Sequence, residues 1–336
     1  MTYLFLILIW IKIEILFFMN DEQLWYNVCL ISRKEQESKM LVKNRYLDDK
    51  YVFKLAEIFK DKGWDIEESV ENEYSLFDLF CMRLGELESD ADRDLIIELT
   101  RRYLVVDLDD YGKYLKSVWK SFFNSNQELI KNIDTIHIFP VQDKNYPNKT
   151  KSGNAVCYFL QGVILRRFST FHDKRIRIIE TFEGLEKHRE EIQCLILVDD
   201  YVGSGDTLLS CVNLIEEKGI SKEKIMVLTL VLQEYGKNVV EEYGVSIYSA
   251  VLKNKAITDN YEKEEVEKKI DQMKQIGKQI KLKDKNLYLG YKATESLVTM
   301  IKTPNNTFPF YWYEGRKDGK LMFAPFARRN NVGVDT

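Results

Sequence analysis

Hydrophobic and polar positions follow two different periods along this chain. Before residue 126 apolar residues recur at three- and four-residue steps, with Val52, Leu55, Ile58 and Phe59 forming one face and Leu76, Leu79, Phe80, Leu84 and Leu87 another. That spacing predicts amphipathic helices. No proline interrupts them, the first in the chain being Pro140. The helix expected from Asp90 takes that residue as its N-cap, carries acids in its first turn and ends on Arg101 and Arg102, as the helix dipole favours. A further helix is expected over residues 111–123. Arg101, Arg102 and Trp119 could mark a nucleic-acid surface, but their helical spacing among acids reads more simply as a packed helix with a solvated face.

From residue 134 the pattern changes. Residues 135–140 are β-branched and aromatic and stop at Pro140, which predicts a strand, followed by a loop and a helix from Ala155 with Val156, Phe159, Leu160, Val163 and Ile164 on one face. Residues 175–180, 194–198, 224–232 and 245–251 read as further strands, separated by helical segments that include 236–243. Strands alternating with helices over 133–252 predict an α/β domain with a doubly wound parallel sheet, and in such sheets ligands sit beyond the carboxyl ends of the strands. Residues 20–128 are expected as an α-helical N-terminal domain and residues 253–330 as an amphipathic helix followed by an aromatic C-terminal extension. Within that last segment, Val266, Ile270, Met273, Ile276 and Ile280 give one stripe on a helix over 261–280. Its charged remainder is either a solvated face or the seam of a partner helix or homodimer. The extension either closes over the sheet or lines the site with Asn305, Asn306, Trp312, Arg328 and Arg329.

The apolar run 1–18 is the outlier. Lys12 and Glu14 are costly in a membrane span, and the run lacks the basic start and small-residue cleavage site of a signal peptide. It is either a translated stretch upstream of a start at Met19 or a membrane or packing helix, and a membrane association is not the expectation. Over 336 residues the formal net charge of -4 gives no bulk attraction to nucleic acid, so any such contact is expected to be indirect. The 5 cysteines show no paired metal-type spacing, which fits a reducing cytoplasm.

The chemistry is concentrated in residues 195–208, LILVDDYVGSGDTL. A buried apolar strand ends on two carboxylates, Asp199 and Asp200. A small-residue turn, Gly203, Ser204, Gly205, Asp206 and Thr207, then opens a helix, where backbone amides converge on an anion. Lys151, Ser152 and Gly153, at the start of an earlier helix, offer a second anion position. A P-loop is excluded because no lysine precedes Thr207, and a dinucleotide fingerprint because the glycines are wrongly spaced.

This stretch closely resembles the phosphoribosyl pyrophosphate signature of type I phosphoribosyltransferases. The resemblance implies that Asp199 and Asp200 hold the ribose hydroxyls and act at the catalytic position, that residues 203–207 wrap the 5′-phosphate, and that Lys151, Ser152 and Gly153 take the place of the pyrophosphate loop. It also implies a magnesium ion bridging ligand oxygens, with Asp199 and Asp200 reaching it only through the ligand. The long helical portion and the aromatic tail look similar to phosphoribosyltransferase-like proteins of bacterial conflict systems. The expectation is therefore a protein that binds phosphoribosyl pyrophosphate, or a related phosphorylated ribose or nucleotide, and transfers or cleaves at the anomeric carbon as an antiphage effector. The alternative is a non-catalytic sensor signalling through its helical domain. Two departures bear on this choice. Gly203 stands where the 6-oxopurine branch of the family has an aspartate as base, and Asp206 puts a carboxylate beside the phosphate, tolerable if it points outward.

Overall fold

The computed structural model describes residues 47–71, 73–142, 152–164, 168 and 173–328, with the side chains of 163 and 164 left aside. The apolar run 1–18, Cys29, Lys151 and Arg329 lie outside the described residues. The chain divides into two compact units, one ending at Gly85 and the other beginning at Glu86.

In the first unit, α1 (Asp49–Lys62) starts where the Asp48 carboxylate accepts the Lys50 N–H at 2.9 Å and stops at Gly63, whose φ of 66° is the left-handed cap. Its buried face contains the expected Val52, Leu55, Ile58 and Phe59. In α2 (Leu76–Gly85) the buried face is Phe77, Phe80, Cys81 and Leu84, so Leu76 and Leu79, expected inside, are only half-buried. The rotation follows from Phe59, which meets Phe77 and Phe80 edge-on at 5.1 and 5.6 Å.

The second unit begins with α3 (Asp90–Arg101). Its N-cap is Ser89 and not Asp90, because the Ser89 hydroxyl accepts the Asp92 N–H at 3.1 Å. Arg102 is an internal anchor: it donates to the Ala256 carbonyl at 2.8 Å and the Tyr261 hydroxyl at 3.0 Å, and Trp119 is fully buried, as a packed helix requires. A short strand β1 (Leu104–Val105) precedes α4 (Leu108–Ser125) and α5 (Gln127–Asn132). The helices at 90–101 and 108–125 thus belong to the unit that holds the sheet, because the Tyr111, Leu115, Val118, Trp119 and Phe122 face of α4 packs into the same core as the strands.

Strand β2 (Thr135–Pro140) occupies the predicted residues; α6 (Ser152–Phe159) starts three residues earlier than expected and continues as a π-helical turn, Leu160–Ile164. Then follow β3 (Arg175–Ile178), α7 (Phe182–His188), β4 (Leu195–Val202), α8 (Asp206–Glu217), β5 (Ile225–Gln233), α9 (Glu234–Glu242) and β6 (Ser246–Lys253). These five long strands form one parallel sheet in the order β3-β2-β4-β5-β6. One face is covered by α4, α5 and α6 and the other by α7, α8 and α9, giving the expected doubly wound architecture. Between β2 and β4 the order reverses direction. Ligands of doubly wound sheets lie beyond the carboxyl ends at such a switch point.

Helix α10 (Lys263–Gln279) buries Met273 and Ile276 and packs on α3, where Gln272 and Gln279 donate to Asp92 at 3.0 and 2.9 Å. Of the apolar stripe predicted for this helix, Met273, Ile276 and Ile280 are buried within the unit, while Val266 and Ile270 are half-buried. The extension contributes β7 (Val298–Thr299), which pairs in parallel with β1, and a hairpin of β8 (Arg316–Lys317) and β9 (Lys320–Leu321). Tyr311 and Phe326 pack against Tyr103 at 4.3 and 5.1 Å between ring centroids, so this aromatic tail is part of the core. Among the described residues no helix is long and apolar enough to cross a membrane.

Cys81, Cys157, Cys194 and Cys211 are buried, and desolvation pushes the thiols of Cys157 and Cys211 up to about 12 and that of Cys194 to about 11. Since the thiolate is the reactive form, these four should resist a thiol reagent in the native protein and react on unfolding. Mass spectrometry of labelled peptides before and after denaturant checks this, and rapid native labelling of any of them would contradict the burial described.

Candidate functional site

The acids expected at the end of a strand lie inside it. Pairing of β4 with β5 continues past Asp199 to Tyr201 and Val202, so Asp199 and Asp200 have fixed backbone positions in a central strand. Asp200 is 7% exposed, while Asp199 keeps part of its surface on a pocket of about 200 Å³. Gly205, with φ 85°, ends the connection and lets the chain turn into α8, whose first residues, Asp206, Thr207 and Leu208, line the same pocket. Leu209 N–H bonds the Gly205 carbonyl at 2.8 Å. The amides before it are those that an α-helix leaves without intrahelical partners, which makes this end of α8 receptive to an anion.

Two side chains from elsewhere in the fold hold the acids. Ser152, the first residue of α6, donates its hydroxyl to Asp199 Oδ1 at 2.6 Å, and the same oxygen accepts the Asp200 N–H at 2.9 Å. Tyr111 of α4 donates to Asp200 Oδ2 at 2.7 Å. Burial, and next the neighbouring Asp200 charge, hold the Asp199 carboxyl well above the usual carboxylate range, with the Ser152 hydrogen bond opposing them. Burial also raises Asp200, against the pull of the Tyr111 hydrogen bond. The Tyr111 hydroxyl in turn is kept protonated by its own burial and by the Asp200 charge.

The structure brings together most of the residues singled out from the sequence. Asp199, Ser152, residues 203–207 and Asn306 all line the pocket, with Asp200 directly behind it. Gly153 has a different task from its neighbours: a Cβ there would lie 2.9 Å from both the Val141 nitrogen and the Val198 oxygen, so it allows α6 to approach the strand ends. Of the extension residues, Asn305 uses its carbonyl to accept the Tyr291 N–H at 2.9 Å. Trp312 is buried with its indole N–H on the Thr307 carbonyl at 2.7 Å. Neither they nor Arg328 line the pocket. Trp312 is drawn into the aromatic core by its apolar surface, and Arg328 pairs its backbone N–H with the Trp312 carbonyl at 3.1 Å.

Asn306 explains the glycine at 203. A Cβ on Gly203 would fall 2.3 Å from Asn306 Cγ, so the place an aspartate would need is filled by this carboxamide. Asn306 Nδ2 donates to Thr294 Oγ1 at 3.2 Å and the Tyr291 carbonyl at 3.4 Å. Asp206 is also engaged from the extension: Lys292 Nζ donates to Oδ1 at 2.7 Å and the Tyr291 hydroxyl to Oδ2 at 3.0 Å. No sequence signal pointed to Tyr111, Tyr291 or Lys292, which lie 89, 85 and 86 residues from their partners.

Among the described residues there is no group of three or more His, Cys, Asp or Glu side chains that could hold a metal ion. The groups at the pocket are the carboxylates of Asp199 and of Asp206, the latter paired with Lys292, with Asp200 behind them, together with hydroxyls and backbone amides, a set that suits a hydrated cation alongside oxygens brought by a ligand.

A doubly wound sheet with paired acids at its switch point and an amide-lined loop beside them defines a protein of the phosphoribosyltransferase type. The chain belongs to the PRTase-CE family, whose model matches residues 34–329. No curated protein matches it in sequence. Among solved structures it is similar to orotate phosphoribosyltransferase from Aeropyrum pernix, at 13% identity over 44% of this chain and 72% of that one with a TM-score of 0.27. It is likewise similar to the Mycobacterium tuberculosis orotate enzyme in complex with 5-phospho-alpha-D-ribosyl 1-diphosphate, at 12%, 51%, 93% and 0.28 in the same order. A Neisseria gonorrhoeae protein with bound ppGpp gives 12%, 45%, 85% and 0.30. Likeness at these values transfers neither a ligand nor a reaction.

Because the folded-state value of Asp199 is raised, the folded chain holds more protons than the unfolded chain between the ordinary carboxylate range and that raised value, so stability falls as pH rises through this window. Asp199→Asn should therefore unfold at a higher temperature than the wild type at pH 7, by about 2–4 °C per kcal/mol relieved, and the advantage should vanish below pH ~4. Thermal unfolding across that range tests it; a variant less stable at pH 7 would contradict the assigned desolvation.

Proposed function

We propose that the pocket binds phosphoribosyl pyrophosphate, or a related phosphorylated ribose or nucleotide, and that the chain transfers or cleaves at the ribose anomeric carbon. The observation that supports this most directly is the placement of Asp199 and Asp200 beside an amide-lined loop at the switch point of the sheet. Vicinal hydroxyls are hydrogen-bond donors, and a pair of carboxylates in a desolvated setting is the acceptor set that suits them. The amides of residues 204–207, with the hydroxyls of Ser204 and Thr207, suit a 5′-phosphate. Ser152, at the start of α6 on the pocket wall, would stand on the pyrophosphate side, where the resemblance also assigns Lys151 and Gly153. Magnesium, held by ligand oxygens with the acids behind them, would supply charge neutralisation for the departing group.

In this reading the bond from the anomeric carbon to the pyrophosphate oxygen breaks with its electron pair leaving on pyrophosphate, while an acceptor or water donates a pair to the same carbon. Carboxylates near the sugar favour the positive charge that develops there. The protein would work in the cytoplasm as an effector of bacterial antiphage defence, with a protein partner or a second copy engaging the helical portion or the outer face of α10, and with nucleic acid involved only indirectly.

A second reading, a non-catalytic sensor signalling through the helical portion, is favoured by one observation. The position open to a base beside the pocket is filled by the Asn306 carboxamide, which does not accept a proton as a carboxylate does. The Tyr111 to Asp200 hydrogen bond would give the ligand a route to α4.

Titration calorimetry with phosphoribosyl pyrophosphate and magnesium should show binding by the wild type and its loss in Asp199→Asn, Asp200→Asn. Equal binding by both proteins would overturn the assignment. Pyrophosphate release with a panel of nucleobases and the natural partner present separates the two readings: release supports the enzyme, and ligand binding without release supports the sensor.

A further inference from the structure

The segment carrying Tyr291 and Lys292 has an unusual backbone. Lys292, Ala293 and Glu295 have φ values of 55°, 50° and 49°, left-handed conformations that a residue with a side chain adopts at a cost of about 1–3 kcal/mol each. Such a run persists only where its surroundings impose it. Here Glu295 imposes it: its carboxylate, 2% exposed for the residue as a whole, accepts the Ile257 and Thr258 N–H groups at 2.9 and 2.8 Å and also the Thr258 hydroxyl. Its own N–H donates to the Leu289 carbonyl at 2.9 Å. Gly290, φ 74°, could carry no side chain, since a Cβ would lie 1.8 Å from the Asn306 oxygen. The result of this rigid turn is that the Lys292 ammonium stands on Asp206.

That contact meets a specific electrostatic difficulty. Asp206 is the first residue of α8 and lines the pocket beside the amides at the start of that helix, which are receptive to an anion. A phosphate monoester carries nearly two negative charges at neutral pH, and a bare carboxylate at this distance would repel it. We propose that Lys292 is a positioning residue for this site: by neutralising Asp206 it allows the 203–207 loop to accept a dianionic phosphate monoester, and so sets the affinity of the loop. The proposal rests on the reading of this loop as a phosphate site. It also makes the extension a working part of the pocket, with the ammonium acting through Asp206 and the strained turn fixing its reach. The Tyr291 hydroxyl, on the other oxygen of the same carboxylate, leaves Asp206 facing donors on both sides.

The test is a double-mutant cycle on the full chain, with dissociation constants for phosphoribosyl pyrophosphate and magnesium measured by calorimetry at low and high salt, and folding checked by thermal unfolding. Lys292→Ala should weaken binding about tenfold, the scale of one hydrogen bond to a charged group, and the loss should shrink at high salt. Lys292→Arg should keep most of the affinity. Asp206→Asn should bind as tightly as the wild type or more tightly, and adding Lys292→Ala to it should then cost little, because no charge remains to neutralise. A double variant as weak as Lys292→Ala alone, or a folded Lys292→Ala that binds like the wild type, would overturn the proposal. If the wild type itself binds none of the probe, the phosphate reading of the loop is what fails.

Discussion

The constraint on which this site depends is the placement of two adjacent carboxylates inside a central parallel strand. Ionised carboxylates removed from water are expensive unless partners take up their lone pairs, and two side by side repel one another. Asp199 and Asp200 meet both costs. Their partners come from three directions: Ser152 from the helix after β2, Tyr111 from the helix preceding the sheet, and the Asp200 amide from the strand itself. None of these fully satisfies Asp199, whose remaining surface opens onto the pocket. Pairing with β5 continues past Asp199 and fixes the backbone of the two acids, while the raised Asp199 carboxyl relieves their mutual repulsion by holding a proton.

Close approach of the backbone makes this geometry accessible. Gly153 lets the start of α6 rest on the ends of β2 and β4, which brings the Ser152 hydroxyl to Asp199. Gly203 lets Asn306 sit against the loop, so the C-terminal extension becomes one wall of the pocket. The extension is in turn tied to the core by the β1 and β7 pairing, by the Tyr201 hydroxyl on Ser296 Oγ at 3.0 Å, and by the Tyr103, Tyr311 and Phe326 rings. The walls of the pocket thus come from the sheet and the loop after it, the start of α6 and the C-terminal extension, the last held in place by β1 and Tyr103.

The sheet and the loop were legible in the sequence because their signals are local. Buried parallel strands read as apolar runs such as 194–198, and a small-residue turn before an amphipathic helix marks the anion-receptive end of α8. What could not be read were contacts between distant segments. Nothing about Tyr111 distinguishes it from the other apolar residues of α4 until Asp200 is placed opposite it. Lys292 looks like one more charge in a polar stretch until the left-handed turn at 292–295 directs it to Asp206. The sequence treats Gly203 as a missing aspartate, whereas the fold shows the space occupied by Asn306. Helix ends were shifted where capping competed, as at Ser89 and Asp90, and the face of α2 rotated because aromatic packing outweighed the leucine pattern.

The central claim, that the acidic pair is desolvated and waiting for a phosphorylated ribose, is tested most directly by infrared difference spectroscopy of the carboxyl C=O stretch. Spectra of the wild type and Asp199→Asn would be followed across pH, with and without phosphoribosyl pyrophosphate and magnesium. A protonated carboxyl band should persist in the wild type well above the ordinary range of about pH 4, be missing from the variant, and disappear when the ligand is added. A pair that titrates in the ordinary range, or whose band is indifferent to the ligand, would contradict the account.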